Sequence, residues 1–313
     1  SATNKRRKVV PNLAIGARGS TVAVAYRVSG PAGHALLLRV SRDGGRTFAK
    51  RVELFESGNR QGIGVPAVAI GNDVIAVAWT NRANGKIKLR TSRDGGKTFG
   101  GAKTLATTKM SIDCKDRLTD GLVGLAINDR SVHVAWSHAP SRQCYASAIR
   151  SRTSLDRGGS WSPVRTITPR DSFGWPELDS RGKTVVATVQ STSGAIVYAR
   201  SGKNGRKWRD SLLKPPRGHI YSAADVALLP GKQAWISYVK ERIRKDKLVS
   251  TRLITRKSGS DGAAYGKPRP GTRDSKLLRM APNLAAVDGR AVRVVQTGQL
   301  DGSPRHIFSS RLK

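Results

Sequence analysis

Asp113, Asp116 and Asp120 put three carboxylates within eight residues of a chain that has only 21 Asp and Glu in all. Carboxylates this close can gather a hard cation through oxygen ligands, or one of them can act as a general acid. The spacing favours neither chemistry. It has no EF-hand pattern, Lys115 and Arg117 stand between the acids, and the segment reads first as a solvated loop whose acids pair with neighbouring cations. The same loop holds Cys114, and the second cysteine of the chain is Cys144. Two cysteines are too few for a four-ligand zinc site or a disulfide framework, which leaves one bridge or two free thiols. The histidines, His34, His133, His138, His219 and His306, show no metal-ligand spacing. No Gly-x-Ser-x-Gly, His-Glu-x-x-His or P-loop pattern occurs, so neither a metal nor a cofactor is expected.

A different group of residues recurs. Ser41-Arg-Asp43-Gly-Gly45-Arg-Thr47-Phe48 returns as Ser92-Arg-Asp94-Gly-Gly96-Lys-Thr98-Phe99 and as Ser154-Leu-Asp156-Arg-Gly158-Gly-Ser160-Trp161. Two decayed copies begin at Ser201 and Ser258, so the steps are 51, 62, 47 and 57 residues. An Asp that accepts backbone N–H groups, a Gly that permits positive φ and an aromatic that pins the segment make a tight polar turn. Asp43, Asp94 and Asp156 are therefore expected to hold turns together rather than to catalyse. The segments resemble the Asp-box of the bacterial neuraminidase (BNR) repeat family, found in sialidase-type β-propellers.

The elements around each box repeat as well. A short apolar strand comes first, as in Asn12–Ile15, Ala67–Ile70, Leu122–Ile127, Val226–Leu229 and Asn283–Val287. A stronger strand follows at Thr21–Tyr26, Val74–Trp79, Val132–Trp136, Thr184–Gln190, Ala234–Val239 and Val292–Gln296. A third strand runs into the box, as at Leu36–Val40 or Ile87–Thr91, and a fourth leaves it, as at Lys50–Phe55. Apolar runs at this spacing, separated by turn residues, predict four-stranded antiparallel blades. Six units fit the chain, so the expected architecture is all-β: a single domain over residues 1–313 forming a six-bladed β-propeller. The sixth unit lacks a box and a fourth strand. The N-terminal segment Lys5–Val10 is expected to join that last blade as its outer strand and close the ring, which removes an open sheet edge.

Resemblance to sialidases implies a constellation in which arginines grip a carboxylate, a Glu activates a Tyr nucleophile and an Asp supplies the acid. The positions that match are Arg60, Arg117 and Arg279 for the grip, Tyr221 with Glu177 for the nucleophile, and Asp116 for the acid. The family's Phe/Tyr-Arg-Ile-Pro motif is absent; Val9-Val10-Pro11 and Gly64-Val65-Pro66 stand nearest to it and carry no Arg. Trp175, with Tyr221, is placed to stack on sugar rings.

The chain holds 57 Lys and Arg, for a formal net charge of +36. Basic residues also alternate on strands, as Lys86, Lys88 and Arg90 do, and as Arg150 and Arg152 do, which predicts a water-facing cationic side on the third strands. Denser clusters stand at Lys5–Lys8, Lys240–Lys247 and Lys267–Arg273. An excess of this size repels itself and is relieved by polyanions through counterion release. No apolar run approaches the roughly 20 residues that cross a bilayer, so no membrane span is expected. The expected function is an extracellular propeller that binds acidic glycans or other anionic polymers, with nucleic acid as a non-specific electrostatic partner. Two alternatives stand beside it: a sialidase-like exo-glycosidase, and a structural subunit docking on an acidic partner. A secreted location follows from the habit of the family and from a Cys114–Cys144 bridge, should one form.

Overall fold

The computed structural model describes residues 8–31, 33–58, 62–109, 123–140, 146–245, 247–258, 266–270, 277–279, 283–287, 290–299 and 306–312, with the backbone alone at 10–12, 173, 232 and from 269 onward. Contacts divide the chain into two compact units, Ser1–Arg165 and Thr166–Lys313. Among the described residues both are built from antiparallel sheets, whose strands follow chain order in all but the last, with one 3-10 turn at Pro230–Lys232.

In the first unit, β1 (Lys8–Arg18), β2 (Thr21–Gly30), β3 (Gly33–Ser41) and β4 (Val52–Ser57) form one sheet. A second contains β5 (Ala67–Ile70), β6 (Ile75–Asn81), β7 (Lys86–Ser92) and β8 (Lys103–Thr107). A third contains β9 (Val123–Asn128), β10 (Ser131–His138), β11 (Ala148–Ser154) and β12 (Arg165–Thr168), and the unit boundary falls inside β12. The first strand of each sheet lies beside the first strand of the next. Residues along β6 feed two cores in alternation. Ile75, Val77 and Trp79 pack with Leu36, Leu38 and Val68, while Ala76 and Ala78 pack with Leu125, Val132 and Val134. A strand buried on both sides has no polar face, which is why the run Val74–Trp79 is continuously apolar.

In the second unit, β13 (Ser172–Arg181), β14 (Thr184–Ser191), β15 (Ile196–Ser201) and β16 (Arg209–Leu213) form a sheet. It is followed by β17 (His219–Leu228), β18 (Ala234–Arg244), β19 (Lys247–Lys257) and β20 (Arg269–Pro270). Val186, Ile196 and Tyr198 of the earlier sheet pack with Tyr221, Val226, Ile236 and Tyr238 of the later one. In the last sheet, β21 (Leu277–Arg279) and β22 (Asn283–Val287) pair with successive stretches of β23 (Arg290–Gln299), and β24 (His306–Leu312) pairs with the same strand from Ala291 to Thr297.

The expected place of Lys5–Val10 in the last sheet needs correction. Residues 5–7 lie outside the described residues, but Lys8, Val9 and Val10 pair with Ser29, Val28 and Arg27 of β2 and so belong to the first sheet. A register shift between Val10 and Ala14 absorbs Pro11, which lacks the N–H that a ladder needs. Pairing across the short turn at Gly19 and Ser20 brings the two strands together at little loop-closure cost, and the strand simply continues past the bulge.

Candidate functional site

The three full turns share one hydrogen-bond plan. The hydroxyls of Ser41, Ser92 and Ser154 donate to Oδ1 of Asp43, Asp94 and Asp156 over 2.7, 2.6 and 2.6 Å. The same hydroxyls accept from the backbone N–H of Gly45, Gly96 and Gly158 over 2.8, 2.7 and 2.7 Å. Each Asp also accepts from the backbone and hydroxyl of the residue four positions on: Thr47, Thr98 or Ser160. These bonds hold all three carboxyls well below the usual carboxylate range. A carboxylate whose lone pairs are already engaged by its own turn is a poor proton carrier, and these turns are structural. In the decayed copy Ser201 still accepts from Gly205 N–H at 3.0 Å, although Lys203 stands where the Asp would be.

Cations tie the turns and strands of the first unit together. Arg42, second in its box, donates to the carbonyl of Gly95, fourth in the next box, at 3.0 Å, and Arg93 donates likewise to Arg157 at 3.3 Å. Lys103 Nζ reaches the carbonyls of Gly158 and Gly159 at 2.9 and 2.7 Å. Arg90 donates to Leu54 and Glu53 of the preceding sheet and to Phe99 and Gly100 of its own. Arg152 donates to Leu105 at 3.0 Å. The expectation of a water-facing cationic side on the third strands therefore fails at these two arginines. They are half-buried in the seams between sheets, where backbone carbonyls accept from them. A signal for this was present in the sequence, since an Arg stands two residues before the box serine at Arg39, Arg90, Arg152 and Arg256.

The residues implied by the sialidase resemblance divide by what the structure describes. Arg60, Asp113, Cys114, Asp116, Arg117, Asp120 and Cys144 lie outside the described residues. Arg279 is on β21, with its backbone across from Thr297. Tyr221 and Glu177 sit on the first strands of two neighbouring sheets, β17 and β13, which pack against each other. Tyr221 is buried at 5% exposure, its ring centroid 4.5 Å from that of Tyr238, and its backbone N–H donates to Gly194 at 2.7 Å. Tyr238 in turn accepts from Arg256 Nε at 3.0 Å, and burial pushes its phenol up. The sequence reading overlooked this pair.

Glu177 pairs with Thr188 across the β13–β14 ladder. Its side chain is open to solvent, yet surrounding protein desolvates it enough to raise its carboxyl well above the ordinary glutamate value. Asp179, two residues on and on the same side of the strand, accepts from the backbone N–H of Leu228 and of Ser180, each at 2.7 Å. Burial nevertheless pushes its carboxyl up to about 6, against the lowering effect of those two bonds. Trp175, half-buried, precedes Glu177 on the same strand. Among the described residues, the carboxyls held near neutrality are both on β13, a property that makes a group useful for proton transfer.

No protein-family model and no curated protein sequence matches the chain. Solved structures do. A Hadza microbial sialidase, Hz136, aligns over 99% of this chain at 13% identity with a TM-score of 0.55. The NanB sialidase from Streptococcus pneumoniae aligns over 97% at 9% identity and 0.54. The chain spans 66% of the length of each of these two sialidases. A protein of unknown function from Dyadobacter fermentans aligns over 98% of this chain and 97% of its own length, at 14% identity and 0.60. At these identities the likeness is one of fold, and the chain has a sialidase-like β-propeller fold.

Proposed function

We propose that the six sheets are the blades of a closed propeller and that this protein works outside the cell as a binder of acidic glycans. The observation that carries the reading is the fate of the acids. The chain has 57 cations to 21 acids, and Asp43, Asp94 and Asp156 are occupied by their own turns rather than by cations. Some arginines find carbonyls in the seams, and Arg157 pairs with Asp73 at 2.8 Å and Arg170 with Asp210 at 2.9 Å. With 21 acids in all, the net excess of +36 has no carboxylate to meet it, and an anionic polymer is the partner that relieves it. The fold neighbours named as sialidases make a glycan the class of polymer to try first. In a direct binding titration the protein is expected to retain sulfated or carboxylated oligosaccharides at low salt and release them as salt rises. Absence of binding to either class at low salt overturns the proposal.

Glu177 favours a second reading, a sialidase-like glycosidase. A carboxyl still protonated near neutral pH can pass its proton to the oxygen of a departing sugar. Turnover of a fluorogenic sialoside that disappears in Glu177→Gln supports this reading; no turnover by the unaltered protein removes it and leaves the binder.

A further inference from the structure

The cluster at Lys240–Lys247 becomes a definite surface once β18 and β19 are paired. Each strand has 11 residues, against 8 and 6 for β14 and β15 of the neighbouring sheet. The turn that ends β14 stops level with Ile220 and Tyr221: Gly194 accepts from Tyr221 N–H, and a side chain at Gly194 would meet Ile220 Cγ2 at 2.7 Å. What lies further along β18 and β19 therefore extends past that turn. Register places Lys240 across from Arg252, Arg242 across from Ser250 and Arg244 across from Lys247. Lys240 also lies across from Tyr221, and Tyr221 and Tyr238 face the earlier sheet, so these residues continue the same face.

That face presents Lys240, Arg242, Arg244, Lys247 and Arg252, with Arg242, Arg244 and Lys247 exposed. Glu241 belongs to the opposite face, across from Ile220, and accepts a hydrogen bond from the Ser222 hydroxyl. Asp246 lies outside the described residues. Like charges directly across a ladder destabilise it, and this ribbon has two such pairs, Lys240 with Arg252 and Arg244 with Lys247. Alternate residues of a strand stand about 7 Å apart, so the cations form a row rather than a point.

We propose that this face is the contact surface for an extended acidic polysaccharide bearing carboxylate or sulfate groups along its length, an inference that rests on the acidic-glycan reading above. The arginines offer planar forks that match carboxylate and sulfate oxygens in pairs. A single-stranded nucleic acid fits less well, because its binders add aromatic platforms, and among the described residues the exposed large apolar side chain on the ribbon is Val249, an aliphatic one.

The test is a set of titrations of the full chain with a heparin-derived oligosaccharide, a polygalacturonate oligosaccharide and a single-stranded DNA oligomer of similar charge. Arg242→Gln with Arg244→Gln is expected to weaken binding of at least one glycan roughly tenfold and to flatten its salt dependence. Lys50→Gln with Arg51→Gln, which removes the same charge from exposed positions in the other unit, is expected to leave binding unchanged. Equal glycan affinity in the ribbon variant and the unaltered protein overturns the ribbon and spares the acidic-glycan reading. Tighter binding of the DNA than of both glycans overturns the choice of polysaccharide. Failure of the unaltered protein to bind either glycan overturns both. Charge reversal at the same two arginines serves as a second variant, expected to lose more than the neutral one.

Discussion

His133 is 1% exposed on β10, with Nδ1 at 2.9 Å from the Thr153 hydroxyl and Nε2 buried without a hydrogen-bond partner. Burial lowers its pKa from 6.5 to about 4, so the folded protein keeps the ring neutral where the unfolded chain would protonate it. The contribution of His133 to stability is therefore expected to fall as pH drops from about 6.5 toward 4, by about 3 kcal/mol, and to level off below that. His133→Gln, which does not titrate, should remove this contribution, so that the slope of stability between pH 7 and pH 4.5 in urea unfolding differs from that of the unaltered protein by the His133 share. An unchanged slope would show that the ring is reached by water. Asp179 works in the opposite sense. Its raised carboxyl favours the fold below about 4, and that contribution is lost as pH rises through about 6. The sequence placed His133 on a strand, and that much was legible from the apolar run around it. The sequence could not show that Asp179 lies against the backbone of β17, because the contact spans 49 residues and two sheets.

At the scale of elements, the repeat made most of the strand pattern readable in advance. The second strands expected at Val74–Trp79, Val132–Trp136 and Thr184–Gln190 fall within a residue or two of β6, β10 and β14, whereas those expected at Thr21–Tyr26 and Ala234–Val239 run on to Gly30 and Arg244 as β2 and β18. What the pattern misjudged was the role of the basic third strands, because alternation reveals which residues share a face but not what that face meets. Arg90 shows the difference, with one guanidinium spanning carbonyls of two sheets. Arg90→Lys is expected to destabilise the protein by about 1–3 kcal/mol, close to the effect of Arg90→Ala, since an ammonium cannot reproduce the planar fork. Thermal unfolding of both variants checks this. Recovery of full stability by Lys would mean that charge alone matters at the seam.

For the whole molecule the excess of +36 is the dominant quantity. Self-repulsion on this scale should be relieved by screening, so the melting temperature is expected to rise with added sodium chloride, and to rise at much lower concentrations with a sulfated oligosaccharide that binds the folded state. Differential scanning calorimetry at constant pH measures both. A melting temperature indifferent to salt would show that the cations are already compensated within the fold.

The amino-acid sequence by itself determined the all-β class, the repeating unit and the turns that punctuate it, because these depend on contacts within a few residues: a hydroxyl, a carboxylate and two glycines in one turn, or apolar residues at alternate positions. Tertiary structure alone decided how the charges are used. It set Arg90 and Arg152 into seams, enclosed Tyr221 beside Tyr238, raised the carboxyls of Glu177 and Asp179, and aligned the Lys240–Lys247 cations with Arg252 on one face. Each of these depends on which strands become neighbours, and on how much solvent their packing removes. Neither is recorded in the spacing of residues along the chain.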